Sequence, residues 1–141
     1  MKNAFPDKNK IKLEFPSEII YTDFCVIVLN HLKDILKIDE DTFFKIELSL
    51  REAVNNAIVH GNENDFNKKV EVEYLWSKKK ILISVKDQSN KRVDFNEIEK
   101  SLENNDVLSF SGRGILIMRN YMDNVEFDYN NGTLIVLEKN L

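Results

Sequence analysis

The chain has 141 residues, 43% of them hydrophobic and 31% charged, with a formal net charge of −4. That composition fits one soluble globular domain with its own core; it excludes a disordered tract and leaves too little chain for two comfortable domains. No apolar run reaches spanning length, "MKNAFPDKNKIKLEF" lacks the apolar core of a signal peptide, and basic residues are interleaved with acidic ones, so the reading is a cytoplasmic protein with no membrane and no nucleic-acid partner.

In chain order, residues 1–10 are polar and read as flexible, and "IKLEF" alternates as a short strand. Pro16 and Ser17 then open a helix to about Lys37. The single cysteine, Cys25, cannot form a disulfide within the chain or a cysteine-only metal cluster, and its neighbours "DFCVIVL" mark it as core. "IDEDTFF" puts acidic residues in the first turn of a second helix, which ends at Gly61 as a left-handed cap. "KVEVEYLW" and "ILISVKD" alternate around "SKKK" as an antiparallel hairpin, with Val70, Val72, Tyr74 and Trp76 on one face. Asp94 with Glu97 is a capping-box arrangement that predicts a short helix over 94–104. "NNDVLSFSG" reads as a mobile loop, followed by a helix from about Gly114 to Met122. "NVEFDY" and "TLIVLEK" form a last hairpin around Asn130-Asn131-Gly132. The predicted fold is α+β, a two-layer sandwich with a mixed, mostly antiparallel sheet and helices on one face.

Three features carry candidate chemistry. Glu52 and Asn56 are one helical turn apart and point at the same side; a carboxylate can take a proton or orient a nucleophile, and an amide oxygen can ligate Mg²⁺. The bland alternative is a solvated outer face. Asp87 ends an otherwise apolar strand, where it can accept a hydrogen bond from an adenine amino group or simply form a turn. Two of the four glycines, Gly112 and Gly114, bracket Arg113 in "SGRGILIM" where loop becomes helix, which is either a phosphate cradle or an ordinary loop end. His31 reads as a surface or interface residue, His60 as a helix-end residue, and Trp76 with Phe43 and Phe44 as core.

Taken together, "LSLREAVNNAIVHGN", "SGRGILIMRNYMDNVEF" and "NGTLIVL" resemble the anti-sigma-factor serine kinases of bacterial partner-switching systems, members of the GHKL (Bergerat-fold) ATPase superfamily. The resemblance runs from about Ile11 to Leu137. It implies that Glu52 is a general base, that Asn56 ligates Mg²⁺, and that Asp87 reads the adenine of ATP or ADP. It implies that Ser111, Gly112, Arg113 and Gly114 bind nucleotide beside an ATP lid at 104–113, and that Thr133 supports the adenine pocket. One departure stands out: the usual Asp-x-Gly-x-Gly is here "DQSNK", with Ser89 and Lys91 at the glycine positions. Another is Phe110, where some relatives carry a basic residue, leaving Arg113 as the cation for the γ-phosphate or the partner.

By resemblance the expected function is an ATP-dependent serine/threonine protein kinase and anti-sigma factor. It would phosphorylate a STAS-type anti-sigma-factor antagonist, sequester a sigma factor and form a homodimer. The alternative is a partner-binding regulator, with or without nucleotide, that lacks kinase activity; the altered "DQSNK" box favours it, whereas Glu52 together with Asn56 favours the kinase. A two-component histidine kinase fits poorly, because no phosphoacceptor-histidine hairpin precedes the motifs.

Overall fold

The computed structural model describes residues 9–92, 94–103 and 110–141. Strand β1 (Lys10–Pro16) leads to helices α1 (Tyr21–Leu36) and α2 (Glu40–Asn55), and α2 runs on into a π-helical turn, Asn56–Gly61. The hairpin β2 (Lys69–Trp76) and β3 (Lys80–Lys86) follows, then α3 (Phe95–Glu103), α4 (Phe110–Tyr121), β4 (Asn124–Tyr129) and β5 (Thr133–Asn140).

The period-two pattern becomes one five-stranded sheet in the order β1-β2-β3-β5-β4. Every pairing is antiparallel, not mixed. The reason is the crossover through α3 and α4: it carries the chain past the slot beside β3 to the far edge, and β5 returns into that slot by a hairpin. Val70, Val72 and Tyr74 of β2, Ile81, Ile83 and Val85 of β3, and Ile135 and Leu137 of β5 are buried beneath the helices. Leu29, Leu32, Ile46, Leu50, Val54 and Met118 close the core from the helical layer. The opposite sheet face carries charge pairs such as Lys12–Glu71 at 3.1 Å, which at such exposure contribute little.

Local signals held at several ends. Asp39 caps α2, its Oδ1 accepting the Thr42 N–H at 2.7 Å, and Asp94 Oδ1 accepts the Glu97 N–H at 3.1 Å at the start of α3. The last hairpin turns through Asn131 at φ 54 and Gly132 at φ 136.

Four boundaries differ from expectation. Lys10 pairs with Leu75 and Asn9 donates to the Trp76 carbonyl, so the strand begins inside the stretch read as flexible; residues 1–8 lie outside the described ones. Helix α1 starts at Tyr21 rather than after Pro16, because Ser17 is engaged elsewhere, donating to Lys68 O at 2.6 Å. Gly61 is not a left-handed cap: the left-handed residues are Glu63 and Asn64, with φ 54 and 57, beyond the π turn. Helix α4 starts at Phe110, so Gly112 and Gly114 lie within it. Of the expected lid, residues 104–109 lie outside the described ones and 110–113 are the first turn of α4.

Candidate functional site

The end of α2, the π turn, the end of β3, the start of β5 and the first two turns of α4 meet at one end of the sandwich. Asn56, Gly61, Asp87, Ile115 and Thr133 line a common cavity of about 60 Å³, together with Ala57, His60, Val85, Phe95 and Ile135. Pockets for drug-sized ligands measure roughly 300–1,000 Å³, so this cavity is the floor of a site rather than a finished one.

Asp87 is buried, and its carboxyl is held above the usual carboxylate range by that burial, an effect opposed by amide hydrogen bonds from Ser89 and Thr133. Both amides donate to Oδ1, at 2.9 and 2.8 Å, and the Asp87 N–H donates to Thr133 O at 3.0 Å. Oδ2 lies against Gly61, where an added Cβ would sit 1.9 Å from it. Thr133 and Asp87 are therefore locked together through Oδ1, while Oδ2 lies against Gly61, a neighbour in the cavity wall. The Ser89 bond is the local turn an Asp forms with the amide two residues on, and the burial and the Thr133 bond come in addition to it.

Asn56 is buried and its Oδ1 has no hydrogen-bond partner among the described residues. An orphaned amide oxygen is costly unless something accepts the role of donor or Lewis acid. Among those residues no three His, Cys, Asp or Glu side chains cluster for a metal. The residues nevertheless fit Mg²⁺, which keeps few protein ligands and takes its remaining oxygens from phosphate and water. Glu52 is half-buried, and burial raises its carboxyl pKa while the charge of Arg113 lowers it. The solvated-face alternative therefore does not hold for this pair.

Helix α4 crosses directly over Glu52 and Asn56. A Cβ on Gly114 would meet Glu52 Oε2 at 2.8 Å and Asn56 Nδ2 at 3.2 Å. Gly114 thus serves close helix packing, whereas Ser111, Gly112 and Arg113 belong to the first turn, whose amides point out along the axis. Arg113 is exposed and Gly112 is buried.

The Ser89 departure is accommodated. Neither Ser89 nor Lys91 has positive φ, and Ser89 is buried with its hydroxyl accepting the Lys91 N–H at 3.1 Å. Tyr129 OH donates to Ser89 O at 3.2 Å, and Lys91 pairs with Glu63 at 2.6 Å. Sequence reasoning did not single out His60, Gly61 and Phe95 for the site, which also line the cavity. For His60 the four-residue spacing from Asn56 was a usable signal; for the others the controlling contacts are remote in sequence.

Residues 22–139 match the family model described as a histidine kinase-like ATPase domain, and the chain belongs to that family. Within it, the chain is 30% identical to the anti-sigma F factor of Bacillus subtilis (strain 168), with 95% of this chain and 94% of that protein covered. The anti-sigma F factor of Geobacillus stearothermophilus is also 30% identical, with 94% and 92% covered. The catalytic domain of the histidine kinase ThkA shares the fold at a TM-score of 0.57 and 17% identity, over 92% of this chain and 97% of that one. No helix among the described residues is long and apolar enough to cross a membrane.

Proposed function

We propose that this chain is an ATP-dependent serine/threonine protein kinase and anti-sigma factor, acting on a STAS-type antagonist and holding a sigma factor. The observation that carries the reading is that Asp87, Thr133 and Asn56 line one cavity, with Glu52 outside that lining but beside Asn56 under α4. The relatives named as anti-sigma F factors support the regulatory half.

In the proposed reaction Asp87 Oδ2 accepts a hydrogen bond from the adenine amino group, and the first-turn amides of α4 face the phosphates. Asn56 Oδ1 would hold Mg²⁺, and the ion would supply positive charge that offsets that of the transferring phosphoryl group. Glu52 orients the substrate hydroxyl and accepts its proton as the γ-phosphoryl moves from ATP to that oxygen and ADP leaves. Its burial favours proton acceptance nearer neutral pH than an exposed glutamate allows.

Homodimerisation through α1 belongs to the same proposal. Ile20, Phe24, Ile27 and Ile35 are each more than half exposed and fall at helical spacing on one side, an apolar stripe that a monomer has little reason to keep. Residues 1–141 as one domain and a cytoplasmic location complete the reading.

A second reading, a regulator without kinase activity, is favoured by the small cavity and the fastened Ser89 segment. Calorimetric titration with Mg·ADP and Mg·ATP, with Asn56→Ala and Asp87→Ala alongside, separates the two. Mg²⁺-dependent binding lost in both variants, followed by transfer of labelled phosphate to a STAS partner, is the expected result. Failure of the wild type to bind at millimolar nucleotide refutes the kinase.

A further inference from the structure

Asn62 is fully buried, directly follows Gly61, and spends its whole side chain on other segments. Its backbone N–H donates to Ala57 O at 2.8 Å, closing the π turn. The carboxamide Nδ2 donates to Ser17 Oγ at 2.9 Å and to Lys69 O at 3.0 Å, while Oδ1 accepts the N–H of Gln88 at 2.8 Å. Gln88 is gripped a second time, its Oε1 accepting the Lys69 N–H at 2.6 Å.

We infer that Asn62 is a positioning residue for base selection: its carboxamide fixes the peptide plane between Asp87 and Gln88 and thereby aims the Asp87 carboxylate at the purine amino group. The inference rests on the nucleotide reading above and deepens it. One of the two amides that hold Asp87 Oδ1 is Ser89 N–H, which belongs to the next peptide plane, joined to the plane Asn62 holds through the Gln88 Cα. Gly61 presses on the same carboxylate from below, since its Cα position leaves no room for a side chain there. Residues 61 and 62 thus hold Asp87 from two directions, one by contact and one through the backbone of its neighbour. The geometry also accounts for a box without glycine: a segment fastened at Gln88 and Ser89 obtains its conformation from hydrogen bonds and needs no left-handed residue.

The readout is base discrimination, which a purely structural role does not move. ADP presents a 6-amino donor to Asp87, whereas IDP presents a 6-oxo acceptor that a carboxylate repels; a site built around a hydrogen bond rejects the analogue lacking it. Dissociation constants for ADP and IDP are measured by calorimetry on the wild type, Asn62→Ala and Ser17→Ala, with thermal unfolding of each. Asn62→Ala removes the acceptor of the Gln88 N–H, and the ADP:IDP preference is expected to fall about tenfold, the equivalent of one well-made hydrogen bond. Ser17→Ala loosens the same network on the side away from Gln88; it is expected to unfold at lower temperature yet keep the preference within about twofold.

Should Asn62→Ala fail to fold, Asn62→Ser, which keeps a shorter polar side chain at the site, is used in its place and is expected to lose part of the preference. An unchanged ratio in the Asn62 variant overturns the inference even if its stability falls. Equal loss of the ratio in Ser17→Ala overturns it too, because the effect would then belong to general loosening. Wild-type protein that binds ADP and IDP alike, or neither, overturns the base-site reading itself, and this is seen before any variant is compared.

Discussion

Replacing Gly114 by alanine tests whether α4 and α2 form the phosphate end of the site. The new Cβ would lie 2.8 Å from Glu52 Oε2, and ordinary contact begins at 3.4 Å, so the carboxylate must retreat by about 0.6 Å. The atom displaced is the tip of a flexible side chain, and the second contact, Asn56 Nδ2 at 3.2 Å, needs only a slight adjustment. Stability should therefore not fall. Gly114 lies inside α4, where glycine to alanine favours the helix by up to about 1 kcal/mol. For a domain of this size that amounts to a rise of up to about 4 °C in Tm. Phosphotransfer should nonetheless drop by about 10- to 100-fold, because misplacement of a catalytic group by about 1 Å costs on the order of 100-fold. ADP affinity should stay within about threefold, since Asp87 and Thr133 lie at the other end of the cavity and keep their hydrogen bonds. Thermal unfolding, ADP titration and phosphate transfer to a STAS substrate together read all three. Transfer at the wild-type rate, or a Tm lowered by more than about 8 °C, would refute the packing argument.

Gly61→Ala should behave in the opposite way. Its Cβ would lie 1.9 Å from Asp87 Oδ2 and 2.6 Å from Cγ, and that short side chain is clamped by two amides, so overpacking should cost about 1–3 kcal/mol in denaturant unfolding and abolish ADP binding. Asp87→Asn should trade function for stability. Burial raises the Asp87 pKa in the folded state, so its contribution is fully present below the unfolded pKa and is lost as pH rises through the folded value. The asparagine variant should therefore unfold at a higher temperature than wild type at pH 7, lose that advantage near pH 3, and bind no ADP; a Tm difference independent of pH would contradict this. Phe24→Asp places a charge in the exposed stripe of α1 and should halve the mass seen by sedimentation without lowering Tm appreciably.

Much of the molecule was legible because its signals are local. Asp94 caps its helix through the amide three residues on, Glu40 and Asp41 fall in the first turn of α2, and the Asn-Asn-Gly turn takes left-handed angles at Asn131 and Gly132. The pair Glu52 and Asn56 was legible for the same reason, since residues one turn apart share a side of a helix. Glycine and serine misled in both directions. Gly61 looked like a cap, Gly114 like part of a loop end or phosphate cradle and Ser17 like a helix start, whereas tertiary contacts use the two glycines for close approach and the hydroxyl for a bond to Lys68.

The sequence alone determined the type and order of the elements and most of the faces they bury, though not that of Phe44, read as core and 57% exposed, because hydrophobic period and capping depend on neighbours a few positions apart. Tertiary structure decided what those residues do to one another. Thr133 reaches Asp87 across 46 positions and Gln88 reaches Asn62 across 26, and only the order β1-β2-β3-β5-β4 brings them together. The all-antiparallel sheet, the close passage of Gly61 and Gly114, and the aim of the Asp87 carboxylate are packing outcomes, fixed when separate elements compete for the same few ångströms of space.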